Sequence, residues 1–287
     1  MKTFHDCIPC LMRQTIQAVR QISDDEQLIE KVLRSALFLA SKMDYSQTPA
    51  LIGREIHKLI REETVNNDPY AEIKHKANEL AMAAAPAIKE EIAASDNPLQ
   101  MAIRYAIAGN ILDFALYNGW DDDRFQKTLH SAHTKNIDKK QLDRLQAEIE
   151  KANNILILGD NAGETVFDRL LIEQLMPKQI TYAVKGYPVI NDALRQDAIF
   201  AGIDKFATII DTGLDCAGTV LSLCSRTFLD TFYNADLVIA KGQANYETLC
   251  DNQRQVFFLT QIKCSVIALD LNGNVGDWVV ASTQQSK

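Results

Sequence analysis

Residues 154–175 read NILILGDNAGETVFDRLLIEQL. Ile155 to Gly159 form a short apolar run with branched side chains, the signature of a buried strand. An amphipathic helix is expected to follow. At the junction stand Asp160, Asn161, Gly163 and Glu164. Two acids and an amide where a strand passes into a helix are open to two readings. Asp160 can cap the helix N-terminus, with Glu164 in its first turn. Alternatively, the three oxygen-bearing side chains can serve a ligand.

Working outward, the chain after residue 150 repeats this grammar. QITYAVKG, FATIID, ADLVIAKG and QVFFLTQIK are further apolar runs, most of them separated by helix-length stretches. Strands apolar on both faces, alternating with helices, indicate a parallel sheet covered on both sides, with the last strand antiparallel or mixed. Before residue 150 the pattern is helical: Ile8, Leu11, Thr15, Val19 and Ile22 recur at three- and four-residue steps. Segments near 26–42, 50–62, 70–93, 98–117, 123–130 and 138–152 behave likewise. The expected fold class is α/β, a Rossmann-like α/β/α sandwich over 151–287 with a helical N-terminal subdomain over 1–150.

Composition excludes several function classes. The 287 residues are 47% hydrophobic and 24% charged, which fits a soluble globular chain. The net charge of −8 argues against nucleic acid or an anionic membrane as partner. It leaves room for a small anionic molecule met by a metal or a few lysines. No apolar run is long enough to span a bilayer, and MKTFHDCIPC lacks the apolar core of a signal peptide. Six cysteines in a chain of this length suggest reduced thiols and a cytoplasmic setting. Nothing in the sequence speaks to oligomeric state.

Ligands of open parallel sheets bind beyond the carboxyl ends of the strands. Those ends carry Asp160-Asn161-Ala162-Gly163-Glu164, then Lys185-Gly186 with Asn191-Asp192, then Asp211-Thr212-Gly213, then Lys241-Gly242-Gln243-Ala244-Asn245, then Lys263. Asp192 alone reads as a helix cap. Together, Asp160, Asn161 and Asp192 offer two carboxylates and an amide oxygen, hard ligands suited to Mg²⁺ or Mn²⁺. GDNAGE does not match the dinucleotide fingerprint, and a Walker loop and a nucleophile elbow are missing. Lys241, after the strand LVIA, is either a surface lysine or a phosphate contact backed by Gly242. Lys263 invites the same reading with less weight. Asn110 and Asp113 share one face of an apolar helix and serve either an internal network or the site. Cys7-Ile8-Pro9-Cys10 opens a helix with no strand before it, so two buried small hydrophobes are favoured over metal or redox use.

With these motifs in place, the chain resembles the metal-dependent damage-control phosphatases, formerly domain of unknown function eighty-nine. The resemblance rests on the CxxC at Cys7, Gly109-Asn110 with Asp113, and Gly159 to Glu164. It continues through Asn191-Asp192, Lys241 to Glu247 and Lys263-Cys264. The CxxC resembles the mainly prokaryotic branch. The resemblance implies one divalent ion (Mg, Mn, Co or Ni) on Asp160, Asn161 and Asp192. It implies substrate contacts from Glu164 and Lys241; taken with the residue reading above, the catalytic candidates are Asp160, Asp192 and Lys241, and the further substrate-binding candidates are Asn110, Asp113, Asn245 and Lys263. The implied reaction is hydrolysis of small phosphometabolites, with metal-activated water favoured over covalent attack because the DxD pattern of haloacid-dehalogenase-type enzymes fails at Ala162. A carboxyl methyltransferase and a non-catalytic phospholigand-binding protein are the alternatives.

Overall fold

A computed structural model of the chain describes residues 1–111 and 122–283. Helices come first: α1 (Cys7–Arg20), α2 (Glu26–Ser41), α3 (Pro49–Thr64), α4 (Ala71–Ala94), α5 (Pro98–Ala108), α6 (Asp122–Thr134) and α7 (Lys139–Lys151). Strands and helices then alternate: β1 (Asn154–Leu158), α8 (Glu164–Leu175), β2 (Gln179–Val184), α9 (Arg195–Phe200), β3 (Thr208–Asp211), α10 (Arg226–Asn234), β4 (Leu237–Lys241), α11 (Gln243–Leu249), β5 (Phe257–Gln261), α12 (Ser265–Asp270) and β6 (Trp278–Ser282).

The sheet order is β3-β2-β1-β4-β5-β6, with only β6 antiparallel. The order reverses beside β1, which places the crevice for ligands at the end of that strand. β6 was not among the expected strands. It is an edge strand in which Trp278, Val280 and Ser282 are buried and the residues between are half-buried. That alternation lacks the continuous apolar run by which the central strands are recognised.

The pleat sends alternate side chains to opposite faces. Ile155, Ile157, Tyr182, Val184 and Ile239 join a core shared with α4, α5, α7 and α8. Leu156, Leu158, Ala183, Val238 and Ala240 face α10, α11 and α12. A separate cluster holds α1, α2 and α3 together. The first core runs unbroken across residue 150.

Two expected elements differ. Helix α8 is not amphipathic, since nine of its twelve residues are buried, Glu164 and Asp168 among them. The helix expected over 98–117 ends at Ala108 and tightens into a 3₁₀ turn over Gly109–Ile111. A Cβ at residue 109 would overlap the Phe167 ring, so glycine lets this turn lie directly on α8. Asn110 is carried inward by the turn. Asp113 lies outside the described residues.

Candidate active site

The Gly159–Glu164 loop leaves β1 and places Asp160 and Asn161 four and three residues ahead of α8. Neither Asp160 nor Asp192 caps a helix: the caps of α8 and α9 are Gly163 and Leu194. The capping readings are therefore not realised. The segment Asn191–Ala193 instead lies between the ends of β1 and β2. Ala162 N–H donates to Asn191 O at 2.9 Å, and Ala193 N–H donates to Asp160 O at 2.8 Å. Lys185 N–H donates to Ala193 O at 3.0 Å. An antiparallel bridge then sets Asn161 against Asp192. Two loops about thirty residues apart in sequence so present the three proposed metal ligands side by side. All three are at most 5% exposed.

Asn110 joins this group from the 3₁₀ turn. Its Nδ2 donates to Asp160 Oδ2 at 2.7 Å and to Glu164 Oε2 at 2.9 Å. Asn161 Nδ2 donates to the same two oxygens at 3.0 and 3.3 Å. Two amide groups thus grip two carboxylates that would otherwise repel. Asn110 Oδ1 is buried and has no hydrogen-bond partner among the described residues. Gly242, at φ 77°, leaves the space that the Asp160 carboxylate fills, and any Cβ there would collide with it.

Lys241 is fully buried on the other side of Glu164. Its Nζ donates to Ala106 O at 2.9 Å, Glu164 Oε1 at 2.5 Å and Asp168 Oδ1 at 2.5 Å. An ammonium has three N–H donors, and all three are engaged. Burial alone would drive Lys241 toward neutrality, but Asp168 and Glu164 more than reverse this and hold it above its ordinary value. Burial pushes the Asp168 carboxyl up to about 6 against the pull of Lys241. Tyr182 supports Asp168 by donating its hydroxyl to Oδ2 at 2.7 Å.

Asn245 is also buried. It donates to Lys241 O at 2.7 Å and Gly159 O at 3.3 Å, and accepts from Thr219 Oγ1 at 2.7 Å. It ties the ends of β1 and β4 together. Lys263 is half-buried at the end of β5, where its backbone N–H donates to Gln243 Oε1 at 2.9 Å. It shares the sheet edge but makes none of the contacts around Asp160 described above.

Sequence reasoning missed three contributors. Asp168 follows Glu164 by one helical turn, a spacing that places both on one face and was available as a signal. Asn78, on α4, accepts from Gly163 N–H at 2.6 Å and donates to Asp197 Oδ1 at 2.8 Å, bracing both ligand-bearing loops. Lys185 was noted after β2 without a role. Its Nζ donates to Gly218 O at 2.5 Å and lies 3.4 Å from Asp192 Oδ2. The cysteine reading also changes. Cys7 is half-buried and Cys10 exposed, so they are not two buried hydrophobes. Partial desolvation by the surrounding protein, with Glu247 and Cys264 nearby, pushes both thiols up, away from a reactive thiolate.

Among the described residues, no three His, Cys, Asp or Glu side chains converge as a metal site. The donor set here is two carboxylates plus an amide. Four buried carboxylates gather here: Lys241 pairs with Glu164 and Asp168, Lys185 lies 3.4 Å from Asp192, and Asp160 stands beside Glu164 on the shared Asn110 amide. The gathered carboxylates and hard oxygen donors fit a divalent cation.

Comparison with known proteins now gives this arrangement a family. A model of the damage-control phosphatase ARMT1-like domain matches residues 3–279. A damage-control phosphatase of Pyrococcus horikoshii is 32% identical over 94% of both chains, and one of Archaeoglobus fulgidus is 32% identical over 97% of this chain and 98% of its own. A protein of Methanocaldococcus jannaschii is 34% identical over 96% of this chain and 93% of its own. The crystal structure of the Pyrococcus horikoshii protein superposes with a TM-score of 0.89 at 31% identity, covering 99% of each chain. The loops that gather Asp160, Asn161 and Asp192 therefore belong to a member of the damage-control phosphatase family.

Proposed function

We propose that this phosphatase is metal-dependent and hydrolyses phosphomonoesters of small metabolites, such as sugar phosphates or damaged phosphorylated intermediates. The observation that carries this reading is the convergence of two buried carboxylates and an amide at Asp160, Asn161 and Asp192, set side by side by the bridge between their loops. A divalent ion there (Mg, Mn, Co or Ni) would neutralise the carboxylates, polarise a phosphoryl oxygen and lower the pKa of bound water. The chain's own residues supply positioning. Asn110 and Asn161 hold Asp160 and Glu164 in register, and Lys241 fixes Glu164 from behind. Phosphoryl transfer needs little more from a protein than such positioning and charge neutralisation. Six unpaired cysteines support a cytoplasmic setting.

The test is a phosphatase screen of the purified chain over sugar phosphates, nucleotides and cofactor fragments. Each divalent ion is supplied in turn after chelation. Turnover restored by metal and abolished by chelator is the expected result. Turnover unaffected by chelation removes the metal. Tight phosphate-ester binding without turnover points to a binding protein, and methyl transfer from adenosylmethionine to a carboxyl group points to a methyltransferase.

A further inference from the structure

We propose that Lys185 is the cation that meets the phosphoryl oxygens of the substrate, an inference that rests on the hydrolase reading above. Three lysines stand at the carboxyl edge near β1: Lys185, Lys241 and Lys263. Lys241 has no donor to give, since Ala106 O, Glu164 and Asp168 take all three. It also points to the face of α5 and α8, behind Glu164. Lys263 is half-buried one strand further out and lies beside Glu247.

Lys185 differs on each count. It is 3% exposed. It follows Ala183 by two residues, so the pleat directs it to the opposite sheet face from Lys241, toward the Gly218–Thr219 loop and α11. Its backbone is one hydrogen bond from Ala193, which is one hydrogen bond from Asp160. Its Nζ has a single hydrogen-bond acceptor among the described residues, Gly218 O, and an ion-pair contact to Asp192 at 3.4 Å. At least one N–H is therefore unspent on a buried ammonium beside a proposed metal ligand. A buried lysine with spare donor capacity beside the proposed metal ligands gains from a phosphate oxygen brought there, and the charge acts most on oxygens that become more negative in the transition state.

The experiment measures binding of inorganic phosphate and of Mn²⁺ by calorimetry, and kcat/KM for p-nitrophenyl phosphate, on the full chain. Lys185→Met should weaken phosphate binding at saturating Mn²⁺ by ten- to a hundredfold, and kcat/KM by at least as much. Mn²⁺ affinity should hold or tighten, because a cation beside Asp192 has gone. Lys185→Arg should recover part of the phosphate affinity. If Lys185→Met does not fold, Lys185→Gln carries the test, since its amide keeps a donor for Gly218 O without the charge. Unchanged phosphate affinity overturns the proposal. So does a parallel loss of Mn²⁺ and phosphate, which would make Lys185 a support for Asp192, and so does a wild-type chain that binds no phosphate with any divalent ion. A wild-type chain that binds phosphate through Lys185 but hydrolyses no ester refutes the hydrolase reading and leaves the phosphate contact standing.

Discussion

The ends of β2 and β4 flank β1, and each carries a buried lysine, yet the two are built differently. At β4, Lys241 is locked between Glu164 and Asp168, with a carbonyl closing its third donor. At β2, Lys185 meets one carbonyl and one carboxylate at longer range. Residue type is the same, but Lys241 is the last residue of β4 and Lys185 stands one residue past the end of β2, a one-step offset in register. What differs is the sheet face to which the pleat assigns each side chain and the number of acceptors waiting there. Lys241 organises the site from behind, and Lys185 faces what the site binds.

The largest effect that tests this contrast is on stability. Lys241→Met strands Glu164 and Asp168 as buried carboxylates without a counter-ion, which costs about 3–5 kcal/mol. Lys185→Met removes one hydrogen bond and one looser ion pair, a loss of about 1–2 kcal/mol. Urea unfolding of the two variants compares them directly. Equal losses, or a loss below about 1 kcal/mol for Lys241→Met, break the contrast.

A smaller effect extends the comparison to the helical part of the chain, which buries a titratable group that, among the described residues, has no carboxylate partner of the kind Lys241 has. His57, on α3, is 3% exposed and packs edge-on to Tyr70 at 6.1 Å between ring centroids. Burial, reinforced by Arg61, lowers its pKa from 6.5 to about 4. The unfolded chain therefore binds this proton before the folded chain does. Stability from this group is full above pH 6.5 and is lost as pH falls toward 4, by about 3 kcal/mol in all. Unfolding free energies between pH 7 and 4 should fall more steeply for the wild type than for His57→Leu. Parallel slopes would contradict the assignment.

Sequence legibility follows the same physics. The strands β1 to β5 were readable because side chains buried on both faces leave unbroken apolar runs. The Asp160, Asn161 and Asp192 cluster was readable because parallel sheets bring strand ends to one edge. Partners distant in sequence were not readable. Lys241 donates to a carbonyl 135 residues away and to carboxylates 77 and 73 residues away, and no local pattern encodes those pairings. The apolar periodicity over 98–117 reads Asn110 into a continuous helix. The close packing of Gly109 on the Phe167 ring, distant in sequence, has no local signal.

The account stands most directly on divalent-ion binding at the end of β1. Calorimetric titration of Mn²⁺ into the chelator-treated wild type, Asp160→Asn and Asp192→Asn measures it. The account predicts a single site in the wild type and a loss of at least tenfold, about 1.4 kcal/mol, in each variant. Wild-type affinity retained by both variants would contradict it.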